Sequence, residues 1–297
     1  MGILRIVGGA DMKLLNVSKM RVKRAGEIGG KALSYFVLIA VAFLMLVPFA
    51  YLLACSFKTA QEINLSSFFP KQWTGRNYVA VFEETVMLRS FLNTFLYIIP
   101  PVLCGVFMSA LCAYGFARLR FPGSQVLFSC MMATLVIPNI IIMIPSYVMF
   151  ANFYKWVGTP LPVMLPAMFG STVMMFFFLN FLRTLPRDYE EAAILDGMGR
   201  GGIFVTIIFP LMKPAIITQI LLCFINQYND YLTPLLYLGN DEQLFTVQLA
   251  INQMNSAYAV ETEKLLTACV VAMVPTCVLF LLCQKYLTDG ISVTGLK

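Results

Sequence analysis

The stretch LNTFLYIIPPVLCGVFMSALCAYGFA, Leu92–Ala117, runs 26 residues without one charged side chain. About 20 helical residues cross the roughly 30 Å hydrocarbon layer of a bilayer. This run therefore predicts a membrane-spanning helix. In lipid every backbone N–H and C=O must find a partner within the structure, which leaves only helices and closed barrels. Barrel strands are segments of about ten residues with alternating polarity, and this run is continuous. Pro100 and Pro101 lie inside it. They would break a soluble helix, but membrane helices tolerate such kinks.

Outward from this stretch, similar runs recur at Ala32–Cys55, Gln125–Met149, Leu161–Leu182, Ala215–Leu236 and Leu265–Tyr286. The expectation is an all-α polytopic membrane protein with six transmembrane helices. Composition agrees: 59% of the 297 residues are hydrophobic and 12% are charged, with a mean hydropathy of +0.79. Soluble domains carry about 25% charged residues. The first run is too long for a signal-peptide core of 7–15 residues and no small-residue cleavage site follows it, so it reads as an uncleaved anchor. Two units are expected: a basic tail over 1–31 and a six-helix membrane domain over 32–297.

The net charge is +6. The basic residues sit between the apolar runs, so they orient the chain and do not predict a nucleic-acid partner. With the N-terminus in the cytoplasm, 15 Lys and Arg fall inside and 6 outside. The positive-inside rule then places both termini in the cytoplasm. The chain has no His, which excludes Ser-His-Asp and Cys-His catalysis and zinc sites of the HExxH kind. No catalytic residue and no metal ligand set is expected. The eight Cys fall in or beside the apolar runs with no C-x-x-C pair, and read as small core residues.

Two inter-span segments hold structure. The outer loop 57–91 contains Asn77, read as an N-cap, followed by Tyr78, Val81, Phe82 and Val86 at helical spacing, and predicts an interfacial helix. The long cytoplasmic loop 183–213 is the more informative. Pro186 suits a first helical turn, and Asp188, Glu190 and Glu191 suit the positive end of the helix dipole. Ala192 and Ala193 favour helix with little bulk. Gly197, after Asp196, is free to adopt positive φ and end the helix. A second helix over Gly202–Phe209 would follow, and Pro210 begins the return to the membrane. A small-residue face flanked by carboxylates is a docking knob. The same residues also fit an amphipathic loop lying on the membrane, and physics alone leaves both open.

In the fifth run Gln219, Asn226, Asp230 and Thr233 are spaced by 7, 4 and 3. On one helix they share a face, either lining a translocation pathway or hydrogen-bonding between helices. Phe176, Phe177 and Phe178 read as core or lipid-facing rings. The nearest approach to a nucleotide-binding P-loop, Gly26–Ala32, lacks the first glycine at the right spacing and the final Ser or Thr.

The spacing Glu191-Ala192-Ala193, three residues, Gly197, nine residues, Ile207, one residue, Phe209-Pro210 resembles the EAA signature of ABC-importer permeases. Phe209 stands where that family usually has Leu. The resemblance covers nearly the whole chain. Ser56-Phe57-Lys58, Asn77-Tyr78, Asn93-Thr94, Ala113–Arg118 and Asn229–Leu235 are similar to the sugar-importer branch, in particular the shorter permease of maltose-type systems. Tyr228 departs from the usual Trp there. The ending Val293–Lys297 departs from the usual Gly-Ala-Val-Lys-Gly.

The resemblance implies a type I ABC importer permease in a bacterial inner membrane. It implies an ATPase dimer that docks on loop 183–213, with Glu190, Glu191, Ala192, Ala193, Asp196, Gly197 and Pro210 at the contact. It also implies a second permease subunit and an extracytoplasmic solute-binding protein. ATP and Mg would reside on the ATPase, and this chain would hold no cofactor of its own. A permease for another solute such as glycerol phosphate, an amino acid or a peptide is the alternative within the family. A secondary transporter would need coupling carboxylates deep in the bilayer, and Asp230 is the one acidic residue in the six runs.

Overall fold

The computed structural model describes residues 30–31, 33–63, 67–256 and 261–295. The basic tail apart from Gly30 and Lys31, and the last two residues, lie outside it. Among the described residues every regular element is helical. Helix α1 is Leu33–Cys55. Short α2 (Ala60–Ile63) and α3 (Arg76–Glu83) lead to the long α4, Met87–Arg118. Then come α5 (Ser124–Thr134), α6 (Asn139–Val148, ending in a π-helical turn at Met149–Tyr154), α7 (Leu161–Met168) and α8 (Thr172–Thr184). Loop 183–213 contains α9 (Asp188–Leu195), α10 (Arg200–Ile203) and α11 (Phe209–Leu211), the last two joined by a π-helical turn. Finally α12 (Lys213–Tyr228), α13 (Leu232–Leu238), α14 (Val247–Ser256) and α15 (Thr262–Gly295) complete the chain.

Four helical segments are long and apolar enough to cross a membrane: Leu33–Cys55, Met87–Arg118, Leu161–Thr184 and Thr262–Tyr286. Two bent pairs, Ser124–Thr134 with Asn139–Tyr154 and Arg200–Leu211 with Lys213–Tyr228, bring the number to six if each pair is one span. The third expected span is thus no simple helix but turns through 95°. Pro138 stands at the break with φ −61° and ψ 131°. It has no N–H to donate, and it disfavours the helical conformation in the residue before it.

The fifth expected span, Ala215–Leu236, is also corrected. It stops at Tyr228 and resumes at Leu232. Pro234 cannot donate to residue 230, and its ring crowds that carbonyl, so a continuous helix is disfavoured there. Asn77 is corrected as well. It is not the N-cap of α3 but sits inside it, buried, and its amide donates to the carbonyls of Ser56 and Lys58 at 2.9 and 2.8 Å. It pins α3 to the foot of α1, where the Thr267 hydroxyl of α15 also donates to the Ser56 carbonyl.

Helix α4 is the hub, packing against α7, α8 and α12, while α12 packs in turn on α15. The main core lies toward the Arg118 end of α4. There Val106, Ala110, Ala113 and Tyr114 meet Met174, Phe178 and Leu182 of α8. Ala193, Ile203, Phe204 and Ile208 of the 183–213 loop belong to the same core. By contrast α1 is bare along its length, and only its foot at Ala54 and Cys55 is buried.

Candidate coupling loop and translocation cleft

The loop 183–213 does not lie loosely on a surface. Three acidic residues occupy the first turn of α9, where the unpaired N–H groups and the helix dipole favour negative charge. At its other end Gly197 has φ +83°. The Gly197 N–H donates to the Ile194 carbonyl at 3.0 Å, and the Met198 N–H donates to the Ala193 carbonyl at 2.9 Å. These are the two bonds of a Schellman turn. They satisfy carbonyls that the helix end leaves open, and they need a left-handed residue that glycine supplies without a Cβ penalty.

Glu190 and Arg118 fix the loop to the bundle. The Arg118 Nε lies 2.6 Å from a Glu190 carboxylate oxygen, and both side chains are 5% exposed. The other carboxylate oxygen accepts weakly from the Tyr114 hydroxyl at 3.5 Å. Arg118 Nη2 donates to the Leu182 and Leu185 carbonyls at 2.9 Å each, and so closes the end of α8. One arginine therefore ties the ends of α4 and α8 to α9. Glu190 and Ala193 face inward and are buried. Tyr189, Glu191, Ala192, Leu195, Asp196 and Gly197 are among the exposed residues of this knob. Pro210 opens α11 at an exposed position directly before the 77° bend into α12.

The four pathway candidates separate. Gln219 is buried within α12, whereas Asn226 is exposed, with its amide turned back to the Leu222 carbonyl at 3.2 Å. Because α12 ends at Tyr228, Asp230 and Thr233 do not continue that face, and the single stripe expected from the spacing does not exist. The Asp230 carboxylate accepts from the Thr233 N–H at 3.1 Å and caps the first turn of α13.

Asp230 and Thr233 do meet other polar groups. They line a cleft of about 750 Å³ with Asn139, Ser146, Phe150 and Tyr237. The 95° bend between α5 and α6 sets the first wall, and the break before α13 sets the second. Phe150 and Tyr237 meet edge to face at 5.4 Å, and Tyr147 stacks on Tyr237 at 6.2 Å. Trp156 stacks behind Phe150 at 5.7 Å. Lys155, next to Trp156 in the chain, has φ +53°, alone among the described non-glycine residues in being left-handed. A wall of hydroxyl, amide and carboxylate groups beside flat rings suits a polyhydroxylated ligand.

Neither Asn139 nor Ser146 was singled out from the sequence. The signal was present, since each follows directly on a proline of the third run, Pro138 and Pro145. Phe176, Phe177 and Phe178 lie away from this cleft, with Phe178 fully buried in the main core.

The model of the family described as binding-protein-dependent transport system inner membrane component matches residues 102–293. A diacetylchitobiose uptake system permease protein of Streptomyces coelicolor is 28% identical over 88% of this chain and 87% of its own length. An arabinooligosaccharides transport system permease protein of Bacillus subtilis is 30% identical over 86% of this chain and 92% of its own. Among solved structures, a bacterial ABC transporter involved in the import of the acidic polysaccharide alginate superposes with a TM-score of 0.78. It shares 20% identity over 89% of this chain and 98% of that one.

Proposed function

The chain belongs to the inner-membrane components of binding-protein-dependent transport systems, and from that premise we propose that it is the shorter permease of an ABC importer for oligosaccharides. The relatives above are carbohydrate permeases by name, and the polar and aromatic lining of the 750 Å³ cleft suits sugar hydroxyls and ring faces. The carrying observation is the α9 knob. It is rigidly seated on α4 and α8 by Arg118 and Glu190, yet it exposes Tyr189, Ala192, Leu195 and Asp196.

An ATPase dimer carrying ATP and Mg docks on that exposed face from the cytoplasm, where both termini of this chain also lie. Closure of the dimer pushes α9, and the Arg118 tie passes the push to α4 and α8. The bundle then rocks between inward-open and outward-open arrangements, and nucleotide shifts the balance between them. An extracytoplasmic binding protein delivers the sugar at the outer end. Above its buried foot α1 meets little else of this chain, and the second permease subunit covers that bare surface.

Two outcomes test this. Affinity purification of the tagged chain from mild detergent is expected to bring down an ATPase and a second permease in fixed ratio. Gly197→Pro cannot adopt the φ of +83°, since proline is held near −65°. It is expected to lose ATPase co-purification and sugar uptake while the chain stays in the membrane. Uptake at the wild-type rate in Gly197→Pro would sink the coupling role. Separately, Ser146→Phe fills the cleft. Uptake should fall roughly tenfold, the equivalent of about 1.4 kcal/mol, with ATPase co-purification unchanged; unaltered uptake would remove the cleft from the pathway.

A further inference from the structure

We infer that Asp230 makes the cleft between α6, α7 and α13 charge-selective, favouring a sugar that carries an amino group and rejecting one that carries a carboxylate. The cleft measures about 750 Å³, and among the described residues Asp230 is the one charged side chain that lines it. No Lys or Arg is among those lining residues, and no ion pair among the described residues involves Asp230. Asn139, Ser146, Thr233 and Tyr237 supply the other polar groups. None of them is a cation that could balance the carboxylate.

The break between two helices holds that carboxylate at the wall. Helix α12 ends at Tyr228 and α13 begins at Leu232, so Asp230 belongs to neither and is half-buried. One of its oxygens accepts from the Thr233 N–H at 3.1 Å. A carboxylate offers about four acceptor sites, so this backbone bond leaves others for a ligand. Ile140, Met143 and Leu232 are among the apolar walls. A single sign of charge between low-dielectric walls focuses its field and enriches the opposite charge. A sugar ammonium donates charge-assisted hydrogen bonds to such an oxygen. A uronate meets like charge, with no cation on the wall to offset the repulsion.

The inference rests on the proposed function for placing the sugar in this cleft. The rings of Phe150 and Tyr237 can pack on a sugar face whatever its charge, and the hydroxyl and amide groups hydrogen-bond either class. Charge is the property that Asp230 adds. Two unit charges about 12 Å apart, at an effective dielectric of about 20, change affinity roughly tenfold. Asp230 is therefore a specificity-determining residue, and it acts on which sugar enters the cleft.

The test uses the full-length chain with its co-purifying subunits and measures direct binding by calorimetry. The solute-binding protein is left out, so that its own selectivity is not read. The probes share one β-1,4-linked skeleton: chitobiose with free amines, cellobiose, and cellobiose with a terminal C6 hydroxyl oxidised to a carboxylate. At mildly acidic pH, where the amines are protonated, affinity should fall roughly tenfold at each step of that series. In Asp230→Asn the side-chain oxygen still accepts from the Thr233 N–H, which separates lost charge from a lost cap, and both steps should disappear. Equal affinity for the three probes, or a series that survives Asp230→Asn, overturns the inference. If Ser146→Phe removes binding in that case, the cleft stands as the sugar site and only its charge selectivity is lost. Binding that Ser146→Phe leaves unaltered, or no binding of any probe, takes the sugar out of the cleft and overturns both readings.

Discussion

Glu190→Ala is expected to lower stability by about 3–5 kcal/mol, since removing one partner of a buried ion pair strands the other charge. Arg118 keeps its two bonds to the Leu182 and Leu185 carbonyls, so the lower end of that range is the better expectation. The measurement is the thermal midpoint of the purified protein in detergent, compared with the wild type. Glu191→Ala is the control next door, because Glu191 is exposed; surface substitutions usually stay within about 0.5 kcal/mol.

A double variant separates docking from direct contact. Arg118→Met with Glu190→Leu removes both charges, and buried pairs replaced by apolar residues often lose no stability. It should recover at least half of the loss, the remainder being the two α8 carbonyls that lose their donor. If Glu190 serves only to seat α9, sugar uptake returns with stability. A double variant that is stable but inactive would show that Glu190 acts on the ATPase itself, and would sink the seating role.

That arrangement shows what a single sequence makes legible and what it hides. The EAA segment, its glycine turn and the membrane class were readable because each rests on local chemistry: apolar length, acidic first turn, glycine at the helix end. Arg118 was visible only as a positive-inside charge. Its pairing with Glu190 spans 72 positions of chain, and no local pattern encodes such a partner. The pathway stripe failed for a different reason. Gln219 and Thr233 share a face only on one continuous helix, whereas α12 ends at Tyr228 and α13 begins at Leu232, with Pro234 weakening the helix at residue 230. The proline was in view, but a proline in a membrane helix either bends it or ends it. In α4, Pro100 and Pro101 leave the helix continuous; before α13 the outcome is a new element. Neighbouring helices decide between the two, and they lie outside the local sequence.

Gly170→Ala is expected to be the most damaging alanine substitution among the described glycines. Gly170 has φ +82°, and a Cβ there would stand 2.1 Å from the Ser109 hydroxyl and 2.7 Å from the Gly105 carbonyl oxygen. On α4, a Cβ at Gly105 would in turn meet the Ala167 carbonyl at 2.6 Å. The α4 backbone therefore touches the α7–α8 junction directly at Gly105 and Gly170. Helices in lipid associate largely through such close approaches of small residues, so Gly105-x-x-x-Ser109 supplies contact that larger side chains would prevent. Ser109 also accepts from the Ser171 N–H at 3.2 Å, next to the Ser171 cap of α8. The left-handed conformation costs a non-glycine residue about 1–2 kcal/mol, and overpacking adds about 1–3 kcal/mol. The sum is enough to prevent assembly of a marginal membrane protein. Expression of Gly170→Ala should give little monodisperse protein. Ser109→Ala in the same chain removes the nearer clash but not the one with the Gly105 carbonyl, so rescue should be partial. Gly115→Ala, in the same helix α4 with open space around its position, should be neutral or stabilising by up to about 1 kcal/mol. Equal behaviour of the two alanine variants would mean that the α4 crossing is looser than the contact at Gly170 requires.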